Sequence, residues 1–197
     1  MKLLPKWFAT IIAAFLGVAA TAGAHAQGLT SKDASAFAKC LPAFQEKGEA
    51  MDKAGTLDAI NAESQGMMIV DGKMKMFSVP MARMKTQLPG AYGEFNAMAK
   101  GCGMGSAANF AAVGDRVFAA YMASKMPAEM TAQMAALTPD MMAMMPPAAQ
   151  QAFALIEALE NVPDTDKAAL TPETVKALDD VTGFDGEFEQ APSLFGK

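Results

Sequence analysis

SAANFAAVGDRVFAAYMASK, running from Ser106 to Lys125, is the stretch whose pattern decides the fold class. Phe110, Val113, Val117, Phe118 and Tyr121 recur at spacings of three and four residues. On a helix of about 3.6 residues per turn those positions share one side. Ser106 precedes the run and is a helix cap, because its hydroxyl can accept from the first free N–H groups. Gly114 falls inside the apolar stripe. A second helix is expected to approach there, since a residue without a side chain leaves it room. Asp115 and Arg116 are expected on the opposite, wet side.

The same helical period extends upstream. Thr30 with Asp33 marks a helix start of the capping-box kind. Phe37, Cys40, Leu41 and Phe44 follow on one face, with Pro42 expected to kink the helix or end its first half. Gly55 closes that segment, and a short helix runs from Thr56 to about Ser64. From Ser78 or Val79 a helix carries Met81, Met84 and Leu88 at i, i+3 and i+7. Pro89 opens another, with Tyr92, Phe95, Met98 and Ala99 on one face and Gly101 as its stop. Gly101 to Gly105 is then a flexible link. Only Gly66 to Phe77 departs from the period. Asp71-Gly72 suits a type I′ turn, and Lys73-Met74-Lys75-Met76 alternates wet and dry, so a small β-hairpin packed on the helices is expected.

Downstream, Tyr121 to Pro147 holds eight of the chain's 18 methionines. Pro127 and Thr138-Pro139 divide it into short helices, with Met130 and Met134 on one face of the first. Met141, Met142, Met144 and Met145 form a cluster on the second. Methionine is a soft filler of irregular cores and an adaptable contact surface. Its thioether also binds soft metals such as Cu(I). The preferred expectation places most of these side chains in the core. Met141, Met142, Met144 and Met145 would leave an exposed face for a partner. Met141, Met144 and Met145 would be the ligands in the alternative, copper-binding reading. Helices follow from Pro147 to about Asn161, briefly after Pro163, and from Thr171 to Gly183. Asp179, Asp180, Asp185, Glu187 and Glu189 read as solvated charge and fit a calcium loop poorly. The acidic tail, 183–197, packs as an arm or stays loose.

The first 26 residues have the pattern of a secretory signal. Lys2 and Lys6 precede an apolar run from Trp7 to Ala20, and Ala24-His25-Ala26 fits a small-x-small cleavage site. Cleavage there gives a single domain from Gln27, placed in the periplasm or secreted. No other run is long and apolar enough to span a bilayer. The formal charge of −5 becomes −7 without Lys2 and Lys6, so the chain offers no basic footprint to nucleic acid. His25 is the only histidine and leaves with the leader. That removes Ser-His-Asp and Cys-His catalysis and histidine-ligated zinc and haem. The glycines at 101, 103 and 105 lack a nucleotide-loop spacing. Cys40 and Cys102, the only cysteines, are expected to form a disulfide, as an even pair in an exported chain does. No motif supports an enzyme using the remaining acids, serines, tyrosines or lysines. The sequence thus reads as a mainly α, single-domain exported protein without a cofactor. It would bind a partner or a small apolar ligand, with methionine-bound copper the alternative.

Overall fold

The structure, a computed structural model, describes residues 28–64, 69–127 and 144–183. The leader, Met130, Met134, Met141, Met142 and the acidic tail beyond Gly183 lie outside these residues. So do the helices expected after Pro127 and Thr138, save for Met144 to Pro146 at the end of the second. The described chain is mainly α, with eight helices and one two-stranded hairpin. In chain order the elements are α1 (Ser31–Lys53), α2 (Asp58–Ser64), β1 (Ile69–Val70), β2 (Lys73–Met74) and α3 (Ser78–Gln87). They continue with α4 (Pro89–Gly101), α5 (Ala107–Lys125), α6 (Pro147–Glu160), α7 (Asp164–Ala168) and α8 (Pro172–Thr182).

Helix α5 is the central element and touches α1, α3, α4, α6, α7 and β2. Ser106 caps it, its Oγ accepting from the Asn109 N–H at 3.1 Å. Its apolar residues Phe110, Val113, Val117, Phe118 and Tyr121 are all buried. At Gly114 a ring from α1 comes close. A methyl group at that position would stand 2.5 Å from Phe37 Cε2 and 3.0 Å from Phe77 Cδ2. The close approach expected from the sequence is therefore made by two aromatic rings. Around it Phe44 stacks on Phe110 at 3.7 Å between centroids, and Phe37 meets Phe77 edge to face at 5.3 Å. Such aromatic pairs add to simple area burial.

Three expectations are corrected. Pro42 does not end α1, which continues from Ser31 to Lys53. Proline forfeits one helical bond. Burial of Phe37, Cys40, Leu41, Phe44 and Met51 along the same helix outweighs that loss. Asp115 and Arg116 do not lie on a wet side. Asp115 is only 2 % exposed, and Arg116 holds buried Asp166 through two bonds of 2.8 and 2.6 Å. The cause is that α5 has neighbours on several sides, so its polar flank is covered as well. Asp179 is not a solvated charge either. It accepts from the Tyr121 hydroxyl at 2.6 Å and pairs with Lys125 at 2.9 Å.

The hairpin is present. Ile69 pairs with Met74 and Val70 with Lys73 in antiparallel register. Asp71 and Gly72 both take positive φ, 52° and 68°, as a type I′ turn requires. A pair this short is marginal alone, and it is supported by packing on α5 and α6. The disulfide is present too. Cys40 and Cys102 are bonded, with Cα atoms 5.7 Å apart, tying the middle of α1 to the end of α4. The link after α4 is a pinned turn. Asn96 accepts from the Ala107 N–H at 3.0 Å, and Asn109 donates to the Met104 carbonyl at 2.9 Å. Helix α8 starts at Thr171, whose Oγ1 accepts from Thr174, and ends at left-handed Gly183. Among the described residues no helix is long and apolar enough to cross a membrane.

Candidate functional site

An apolar cavity of about 110 Å³ is bounded by α1, α2, α3, α4 and α5. Phe44, Phe95 and Phe110 line it from three of those helices. Leu57 and Ile60 come from α2 and its approach, and Met76 and Phe77 from the segment leaving the hairpin. Helix α3 contributes Pro80, Met81 and Met84. Three thioethers in the lining give a soft, adjustable surface, because an unbranched side chain can re-pack around different shapes.

Helix α1 shapes another part of the wall through Leu41, Phe44, Gln45 and Gly48. A Cβ built at Gly48 has no heavy atom within 4 Å. Glycine within a helix is unfavourable by roughly 1 kcal/mol relative to alanine, so Gly48 weakens α1 while leaving this part of the wall open. Gln45 and Asn61 are the polar residues of the lining. Asn61 is oriented by its own hydrogen bond, Nδ2 donating to Asp52 Oδ1 at 2.8 Å. A second hollow, between Lys47, Thr56, Gln87 and Glu94, is wide, open to solvent and crossed by the Lys47–Glu94 ion pair. Its charged rim suits an apolar ligand less well.

Asp115 holds one wall in place. Its Oδ1 accepts from the Phe77 N–H at 2.7 Å and the Ser78 N–H at 3.3 Å, and its Oδ2 accepts from the Ser78 hydroxyl. Phe77 is the cap residue of α3 and has no capping side chain of its own. The carboxylate on α5 thus satisfies free donors at the start of α3, as a local cap would. Burial pushes the Asp115 carboxyl up to about 6, against the Ser78 hydroxyl, the Phe77 and Ser78 N–H groups and Lys75, which favour the anion. Further along α5, burial and the bond to Asp179 push the Tyr121 phenol well above its usual range.

The residues singled out in the sequence are placed as follows. Cys40 and Cys102 come together as the disulfide. Met144 is 87 % exposed and Met145 is half-buried. Met141 and Met142 lie outside the described residues. Met122 and Met126 pack against the edge of the core. The methionines that surround a cavity are Met76, Met81 and Met84, which the spacing pattern marks only as core and strand positions. Gly48, with no apolar side chain, carried no signal in the pattern. Among the described residues no three His, Cys, Asp or Glu side chains converge as metal donors. No protein-family model, curated protein or solved structure matches the chain.

Proposed function

We propose that this chain is an exported, non-enzymatic binding protein that takes the apolar part of a small molecule into the cavity between α1, α2, α3, α4 and α5. The observation that carries the reading is the lining: aromatic rings and three methionines, with one side left open at Gly48. The leader pattern and the Cys40–Cys102 disulfide support export. An engineered apolar cavity of about 150 Å³ accepts benzene. A space of about 110 Å³ with an open side suits a single ring or a short branched chain. Burying about 150 Å² of such a ligand contributes roughly 4 kcal/mol, which corresponds to a dissociation constant of about 1 mM for a bare hydrocarbon. Tighter binding requires polar recognition at the rim.

The test is a titration of the purified protein, labelled at the methionine methyl carbons, with toluene. Met76, Met81 and Met84 methyl resonances should shift together, while exposed Met144 stays in place. In Gly48→Leu the new side chain extends into the cavity, and the shifts should vanish without loss of the helical circular-dichroism signal. Shifts scattered over all methionines, or none up to the solubility limit of toluene, would dispose of the cavity as a binding site.

A further inference from the structure

The two polar side chains in the lining define the ligand more closely, given that the cavity is a binding site as proposed above. Asn61 is anchored through its nitrogen, because the Asp52 carboxylate it touches is acceptor-only and must face an N–H. That fixes the amide orientation and leaves Oδ1 as the free acceptor. Among the described residues no donor reaches Asn61 Oδ1, and none pairs with the Gln45 amide. Asp52, half-buried, is held against Asn61 by that bond. A carboxylate arriving at this rim would meet a fixed acceptor and, one bond further, a like charge. Apart from the Gln45 amide the rest of the lining is apolar, and no lysine or arginine lines it to offset the charge of an anion.

We infer that the ligand is a neutral amphiphile of the phenol, alcohol or indole class. It enters apolar end first and places its N–H or O–H on Asn61 Oδ1. Gln45, whose amide can present either end, adapts to the remaining polar atom of the ligand. Carboxylates of the same shape bind less well, because the Asp52 charge stands next to Asn61 and no cation in the lining offsets it.

Toluene, p-cresol and p-toluate share one apolar body and differ only at the polar end. Their binding to wild type, Asn61→Leu and Asp52→Asn is read from the Met76, Met81 and Met84 methyl shifts. For wild type, p-cresol should bind about five-fold tighter than toluene, the gain of one neutral hydrogen bond over its hydration. p-Toluate should bind at least about ten-fold more weakly than p-cresol. In Asn61→Leu the ratio of p-cresol to toluene affinity, both taken on that variant, should fall from about five to about one; a ratio that stays near five would overturn the role of Asn61. In Asp52→Asn, which keeps the amide contact and removes the charge, p-toluate should gain several-fold. If toluene binds wild type but p-cresol binds no tighter, or p-toluate matches p-cresol, the inference is wrong and the cavity is a plain apolar site. If toluene itself fails to bind, the reading of the cavity falls and takes this inference with it.

Discussion

Replacing Asp115 by asparagine separates the cost of burying a charge from the gain of the hydrogen bonds it makes. The carboxyl is raised from 3.8 to about 6, chiefly by burial. At about 1.4 kcal/mol per unit, the ionised group costs the fold roughly 3 kcal/mol relative to the protonated one. The folded chain therefore holds this proton, between about pH 4 and 6, where the unfolded chain has already lost it. Stability from this group is greatest below about pH 4 and falls as pH rises through that window. This is the reverse of a salt-bridged carboxylate. The amide introduced by Asp115→Asn would keep an oxygen for the Phe77 and Ser78 N–H groups, and the Ser78 hydroxyl can turn to accept from its NH2. The variant loses no cap and carries no charge. The quantity to measure is the stability of wild type minus that of the variant, by urea unfolding followed by circular dichroism. It should fall by about 2.5 kcal/mol from pH about 4 to about 7. Other carboxylates titrate alike in both proteins and cancel. Asp115→Ala, which strands the Phe77 and Ser78 donors, should cost about 2–4 kcal/mol at neutral pH. A difference between wild type and Asp115→Asn that stays constant with pH would show that burial does not govern this carboxyl, and the argument would fail.

Two glycines inside helices should respond oppositely to alanine. Gly114→Ala drives a methyl into the Phe37 and Phe77 rings and should destabilise by about 1–3 kcal/mol, whereas Gly48→Ala meets open space and should stabilise by about 0.5–1 kcal/mol in the same urea assay. Replacing Cys40 and Cys102 together by alanine frees a loop spanning 62 residues and should lower stability by about 4 kcal/mol on the chain-entropy account; an unchanged urea midpoint would refute a structural role for the bridge.

Much of the fold was legible because its signals are local or have one dominant outcome. The α5 stripe, the Asp71-Gly72 turn, the caps at Thr30, Ser106 and Thr171, and the pairing of two cysteines each needed only near neighbours or an even count. Gly114 announced a contact without saying that Phe37 and Phe77 would make it. The readings that failed for Asp115, Arg116 and Asp179 shared one assumption, that a helix has a single dry side. Helix α5 has neighbours around much of its surface, so Asp115 and Arg116 are covered and find tertiary partners. The cavity escaped for a related reason. Its wall runs from Leu41 on α1 to Phe110 on α5, and no short window of sequence contains it. Met81 and Met84 look identical in pattern whether they fill a core or border a space within it. Gln45 and Asn61 are ordinary polar helix residues until neighbouring helices place them at a rim.

The position of α1 sets the order in which the molecule can be assembled. Its apolar residues pack against α4 and α5, and α8 packs on it as well. A chain emerging from its N-terminus, whether from the ribosome or across a membrane, presents α1 first and α8 last. Until Pro172–Thr182 arrives, the part of α1 that packs on α8 lacks that cover. The Cys40–Cys102 bridge needs no residue beyond the turn after α4. It can therefore fasten α1 to α4 while the rest of the chain is still arriving, turning a long search by α1 into a short one. Closure then waits on contacts far apart in sequence, the kind that fold slowly. The bridge would serve assembly as a clasp on the first half, in addition to its effect on the finished protein.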